Sequence, residues 1–195
     1  RDYPVDPVVP GRVLISAAAD FESPYVGPLV GGGQVHARGV DAVATAALGS
    51  RLQLATNYSY WRVWQRGLDL VWRRAEHEMR HQARVELSYR PARQWTTGLR
   101  WRYVSGHPYT PFDATASIKA GRSVYDLTAI NTQEYPPYHR LDVRGERDFV
   151  LGRTQTMIYV EVNNLYDRDN LLTYQWSRSL RAAKPLYQWG RTFIG

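Results

Sequence analysis

The chain has 195 residues, enough for one domain, and no cysteine, which excludes disulfides and thiolate metal sites. It has no apolar run long enough for a membrane-spanning helix, and its mean hydropathy is -0.48. A barrel strand needs only every second residue to face lipid, so a polar average does not exclude the membrane.

The formal net charge of +7 rests on 25 basic residues, of which only Lys119 and Lys184 are lysine. Arginine offers a planar fork suited to carboxylate and phosphate, and a genome rich in arginine codons leaves the same mark on composition. Aromatic residues are mostly Tyr (14) and Trp (7), with 4 Phe. Rings with a polar handle belong at membrane interfaces or binding surfaces. The chain begins with Arg1 and ends at Gly195, so it reads as a fragment, and the absence of a targeting segment then says little.

Residues 1–32 carry five prolines and the start of the run Gly31 to Gly33, which predicts mainly loop, with a short strand at Arg12 to Ala18. From Gln34 to Ala46 the chain alternates, Val40, Ala42 and Ala44 opposing Asp41 and Thr45. After a turn at Leu48 to Ser50 a second strand covers Arg51 to Trp61, with Leu52, Leu54, Tyr58 and Tyr60 on one face. A basic, Trp-rich connection spans Arg62 to Arg80. The next strand sets Ala83, Val85, Leu87 and Tyr89 against Arg84, Glu86 and Arg90. Pro91 to Arg93 turn the chain into a strand with Trp95, Thr97, Leu99, Trp101 and Tyr103 opposite Arg100 and Arg102. A long polar connection from Gly106 to Pro137 follows.

The strongest alternation lies between Glu134 and Tyr166. Leu141, Val143, Gly145 and Phe149 share one face, and Asp142, Arg144, Glu146 and Asp148 the other. Beyond a turn at Leu151 to Arg153, Ile158, Val160 and Val162 oppose Tyr159 and Glu161, which predicts an antiparallel hairpin. A hairpin arm at Leu172 to Ser177 and a last strand near Arg191 complete the chain. Short turns at Leu48, Pro91 and Leu151 alternate with long connections, and Tyr89, Trp95 and Phe149 lie near the short ends while Tyr58, Tyr60, Trp101 and Tyr103 lie near the long ones. Two aromatic girdles result, ~26 Å apart on an extended strand, about the height of a barrel's apolar band. A β-sandwich also alternates, burying two apolar faces against each other.

The segments YPPYHRLDVRGERDF and IYVEVNNLYDRDN resemble the last third of the β-barrel of TonB-dependent outer-membrane receptors. WRYVSGHPYTPF, from Trp101 to Phe112, resembles that family's Tyr-x-Ser-Gly-x-Pro-Tyr-Thr-Pro segment. GQVHARGVDAVA, from Gly33 to Ala44, resembles its Gly-Val-Glu strand, with Asp41 where Glu is usual. The resemblance implies an all-β, antiparallel up-and-down transmembrane β-barrel segment, about seven or eight strands of a larger barrel in the bacterial outer membrane. Residues 1–195 are then the C-terminal portion of the barrel domain (1–32 mainly loop, 33–195 strands and loops), without the plug domain. Implied partners are membrane lipid and lipopolysaccharide, the chain's own plug, TonB through a missing N-terminal region, and a small-molecule ligand. That ligand is a scarce bulky nutrient: a ferric siderophore, a cobalamin or an oligosaccharide. The alternative is a self-contained eight-stranded barrel with a structural or adhesive role.

The chemistry-bearing residues fall into three groups. His77-Glu78-Met79-Arg80-His81 matches HExxH, which on a helix holds zinc between two imidazoles. The preceding turn is charged and no third ligand follows at a suitable spacing, so His77 reads as a loop residue and no metal, cofactor or catalytic residue is expected. On the face opposite the apolar one, Arg84, Glu86, Arg100, Arg102, Asp142, Arg144, Glu146 and Glu161 read as a cross-strand ion-pair lattice. The resemblance adds contact with the plug or an anionic ligand. In the long connection, Trp61, Trp64, Arg66, Trp72, Arg73 and Arg74 combine flat rings and guanidinium groups, suited either to an anionic aromatic ligand or to lipopolysaccharide phosphates. Nucleic acid is not an expected partner, because acids interleave with the basic residues.

Overall fold

In the computed structural model, which describes residues 3–11, 13 and 28–195, strands predominate and the one helix is short. In chain order the elements are β1 (Tyr3–Val5), β2 (Val30–Leu48), β3 (Leu52–Arg66), β4 (Trp72–Arg74), β5 (His81–Ala92), β6 (Trp95–Val104), β7 (Pro108–Tyr109), α1 (Ala114–Ala120), β8 (Gln133–Glu134), β9 (Tyr138–Leu151), β10 (Thr154–Asn163), β11 (Leu171–Ser177), β12 (Ala182–Tyr187) and β13 (Thr192–Ile194). The fold is all-β and antiparallel.

The main sheet runs β1-β2-β3-β5-β6-β9-β10-β13, with β4 paired to the far end of β3. Its path ends at β1 and β13 without joining, so the sheet is open. Two small hairpin-like sheets, β7–β8 and β11–β12, stand apart from it. The turns β2–β3, β5–β6 and β9–β10 are tight, and Gly49 (φ 73°) and Gly152 (φ 62°) supply the left-handed residue in two of them.

Register converts the alternation into two surfaces. One row places Ala46, Leu54, Leu87, Leu99, Val143, Val162 and Phe193 side by side across seven strands. One residue along, the opposite face carries Ala55, Glu86, Arg100 and Asp142 in line. The apolar face is uncovered: Val40 is 63% exposed and Val160 57%. Among the described residues, only Val5, Val13, Ala75 and Ile130 are buried hydrophobics. A sandwich needs a continuous apolar core between two sheets, and the described residues form none.

Aromatic side chains mark both ends of that uncovered face. Toward the long loops, Tyr58 Oη lies 2.7 Å from His81 Nδ1, Trp101 stacks on Tyr103 at 6.1 Å, and His139 Nδ1 lies 2.7 Å from Tyr166 Oη. Toward the tight turns, the Arg147 guanidinium sits over Trp95 and Phe149 at 5.0 and 4.7 Å. Arg147 is a cation on an otherwise apolar face, and its long stem lets the charge reach the end of that face.

The strands differ from the sequence reading at their ends. β2 starts at Val30 rather than Gln34, and β3 continues to Arg66, so Trp61, Trp64 and Arg66 are strand residues rather than loop. Trp72, Arg73 and Arg74 form β4, which pairs with that extension. The added start of β2 pairs with β1, and Gln34 to Arg38 of β2 supply ladder partners for Arg66 to Arg62 of β3. Backbone pairing there overrides a side-chain pattern that reads as irregular. Residues 1–32 also contain β1, whose Tyr3 faces Gly33, where a Cβ would press on the Tyr3 carbonyl oxygen at 2.8 Å. The strand expected at Arg12 to Ala18 lies outside the described residues apart from Val13, which bridges Val5.

Candidate ligand-binding site

The charged face is built by β5, β6, β9 and β10, whose alternation sends every second side chain to it. Glu86 accepts from Arg84 and, at 2.7 Å, from Arg100 Nε. Asp142 accepts from Arg102 Nη2 at 3.1 Å and pairs with Arg140 Nε at 3.0 Å. Arg144 joins Glu146 and Glu161 at 3.1 and 3.3 Å and lies over the Tyr159 ring at 4.0 Å. All eight residues expected on this face are thus paired, and Arg140 joins them, in three clusters centred on Glu86, Asp142 and Arg144. Five arginines meet four carboxylates, so the lattice nearly neutralises itself.

Asp142 has a second role. It is 3% exposed, and its Oδ1 accepts the backbone N–H of Asn164 at 3.0 Å. Asn164 adopts φ 55° and closes the following turn through Arg168, donating from Nδ2 to its carbonyl at 3.0 Å and accepting its N–H at 3.2 Å. The Leu-Asp and Asn-Leu-Tyr segments are therefore physically coupled: the carboxylate of one holds the left-handed turn of the other.

The six Trp and Arg residues of the β3–β4 region do not converge on one site. Trp61 donates from Nε1 to Asp41 at 3.3 Å on the charged face. Trp64 lies between the guanidinium groups of Arg38 and Arg62, 5.3 and 4.5 Å from its ring. Arg66 donates to Gln34 at 2.8 Å and covers Trp72 at 5.3 Å. Arg73 pairs with Asp69 at 2.6 Å. Arg74 joins Glu78 and, at 2.6 Å, Glu134. Burial alone lowers the Arg74 pKa, but these two carboxylates outweigh it and hold the pKa above its ordinary value.

The HEMRH segment is a turn and irregular chain leading into β5 at His81, not a helix, so its spacing does not put two imidazoles on one helical face. Glu78 is fully buried among Arg62, Arg74 and Arg80 and accepts the Val63 N–H at 3.3 Å. His81 opens β5 beside Tyr58. Glu78 is a structural anchor for the bulged chain between β4 and β5, held by charge-assisted bonds.

A hollow of about 420 Å³ lies at the long-loop end of the sheet, within the usual range for small-molecule sites. The connection from Gly106 to Pro137 builds one side of it. Ser105 donates its N–H to the His81 carbonyl at 2.8 Å and accepts the His81 N–H on Oγ at 3.0 Å, so β6 and β5 end together. The chain then passes so close to Tyr135 that a Cβ on Gly106 would run into its carbonyl oxygen. Only glycine fits there. β7 pairs with β8, and Thr110 accepts the Asn131 N–H at 3.1 Å. α1 follows, with the Asp113 carboxylate accepting the Ala116 N–H at 2.8 Å and Gly121 in the left-handed region at its end.

The β11–β12 hairpin closes the opposite side with Tyr174, Leu172 and Leu186. Tyr135 and Tyr174 stack at 5.6 Å with planes 12° apart, and Tyr109 leans on both at 4.3 and 5.4 Å. His107 lies 4.6 Å from Tyr135 and donates from Nδ1 to the Glu76 carbonyl at 2.9 Å. Phe112 packs on Tyr125 at 5.0 Å. Burial, followed by the neighbouring Tyr174 and Tyr135, raises the Tyr109 pKa, so its phenol stays protonated at neutral pH.

Sequence reasoning quoted the Ser-Gly-His-Pro-Tyr-Thr-Pro segment but gave its rings no role. The signal was available: outside the alternating strands, tyrosines recur in the very connections that were read as polar loop. Neither protein-family models nor curated proteins contain a match to this chain.

Proposed function

We propose that this chain is part of the wall of a TonB-dependent outer-membrane receptor, and that the aromatic hollow at its long-loop end is where an imported nutrient first binds. One observation carries the reading: a seven-strand row of apolar side chains lies uncovered beside a self-paired charged face. In water such a face would be costly to leave bare. In a bilayer it is the lipid surface, bounded by aromatic residues at both ends.

An open sheet edge cannot stand in hydrocarbon, so further strands must complete the barrel. The charged lattice then lines the lumen, where the plug would dock against half-exposed ion pairs. Lipid and lipopolysaccharide bathe the outer surface, with Arg38, Arg62 and Arg66 just beyond the upper aromatic band on the same face as Tyr58 and Tyr60.

The test is to express the full-length protein that contains this chain, fractionate the cells, and ask whether it co-purifies with TonB. Recovery in the outer membrane, a gel mobility that changes on boiling, and TonB capture are expected. Recovery in the soluble fraction with unchanged mobility would overturn the reading. Outer-membrane recovery without TonB capture would overturn the importer and favour a structural barrel.

A further inference from the structure

We infer that the hollow takes an uncharged, polyhydroxylated ring ligand of the neutral oligosaccharide class, and not an anion. The inference rests on the import reading for its biological setting but on the site's own chemistry for the ligand. Among the described residues, no arginine or lysine lines the hollow, whereas Glu76 does. Arg74, whose carbonyl accepts from Asn131 of the lining, has its guanidinium committed to Glu78 and Glu134. An anion entering here would lose its own water and meet the Glu76 carboxylate, with the imidazoles of His77 and His107 but no guanidinium or ammonium group in the lining. The basic character of the chain therefore does not extend to this site.

The rings also select shape. Tyr109, Tyr135 and Tyr174 pack on one another with interplanar angles of 12° to 39°, which gathers three rings into one aromatic wall of the hollow. A cage for a small cation would need rings facing one point from several directions, and a hollow of about 420 Å³ is far larger than an ammonium head. A pyranose ring has an apolar C–H face that packs against an aromatic ring and a hydroxyl rim that needs hydrogen bonds. Gln65 lines the hollow beside the rings and Thr173 adds a hydroxyl that also lies 3.3 Å from the Tyr135 hydroxyl, whereas the Asn131 amide is already engaged by the Arg74 carbonyl and Thr110.

The experiment is binding of the purified full-length protein to an array holding neutral oligosaccharides and the same chains bearing uronic or phosphate groups, followed by calorimetry on the hits. It needs neither TonB nor transport, so its failure is separable from failure of the import reading. The expected result is binding of neutral members, weakened about tenfold by Tyr174→Ala and little changed by Tyr174→Phe, which keeps the ring. Should Tyr174→Ala fail to fold, Leu186→Trp, which fills the hollow from the hairpin, is expected to give the same loss. Binding confined to the charged members, no binding at all, or neutral binding untouched by these changes would overturn the inference.

Discussion

The charged face of the sheet and the aromatic hollow at its end use their functional groups in opposite ways. On the charged face five arginines, Arg84, Arg100, Arg102, Arg140 and Arg144, each meet a carboxylate on their own or an adjacent strand, and these clusters nearly neutralise themselves. In the hollow the rings touch one another along one side and leave space on the other. Charge density is therefore a poor guide to where this molecule can receive a ligand. What matters is which groups their neighbours have not already used.

The sharpest way to break that contrast uses two glycines. Gly106→Ala should cost ~3 kcal/mol, because the new Cβ meets the Tyr135 backbone and must push β7 from β8. Gly98→Ala, on the charged face, places a Cβ with nothing nearer than the Leu87 carbonyl at 4.0 Å and should cost no more than ~0.5 kcal/mol. Urea unfolding of the full-length protein in lipid vesicles measures both. Equal costs would mean that the hollow's wall is not built as described.

Asp142 comes next. Replacing it with Ala strands Arg102 and Arg140 and removes the acceptor for the Asn164 N–H, an expected loss of ~2 kcal/mol after allowing for the partly exposed arginines. Asp142→Asn should lose less, since the amide oxygen still accepts from Asn164. The same unfolding measurement decides, and equal losses would make the charge, not the turn, the main contribution.

A smaller effect is expected at Arg100. Its pair with Glu86 is half-exposed, so a double-mutant cycle on the two residues should return under ~1 kcal/mol. A larger coupling would show that the lattice is more shielded from water than its exposure indicates.

Much of the sheet was legible in the sequence because its code is local. Val143 and Val162 alternate with Asp142 and Glu161, and that period of two survives whatever the strands pair with. The lattice followed from the same rule, once register set Arg100 beside Asp142 and Glu86. The extension of β3 to Arg66 was not legible, since Arg62, Trp64 and Gln65 break the alternation and only pairing with β2 keeps them extended. The hollow was legible only as tyrosines recurring in the connections, not as a site. Tyr109, Tyr135 and Tyr174 are far apart in the chain, and two separate hairpins bring their rings together.

The smallest expected effect is one of pH, at the loop that frames the hollow. Thr128 donates from its hydroxyl to Asp126 at 2.6 Å and from its N–H at 2.9 Å, which holds the carboxyl below its ordinary pKa. A depressed folded-state pKa adds stability above the unfolded value, which is lost as pH falls through the folded one. The amides of Thr128 to Thr132 should therefore exchange faster, relative to the intrinsic rate, only below the ordinary Asp range, and Asp126→Asn should remove that pH dependence. An unchanged profile in the variant would discharge Asp126 from this role.

The central claim is that the uncovered apolar row faces lipid while the charged row does not. The absence of cysteine from this chain allows single nitroxide labels to be placed along β6 and β9 of the full-length protein in phospholipid bilayers, at Leu99 and Val143 on one face and at Gly98 and Arg144 on the other. Electron paramagnetic resonance then compares collisions with oxygen, which partitions into lipid, and with a water-soluble nickel chelate. The account expects the ratio to alternate with a period of two, Leu99 and Val143 favouring oxygen and Gly98 and Arg144 favouring nickel. Equal access of nickel to all four positions would contradict it and return the sheet to water.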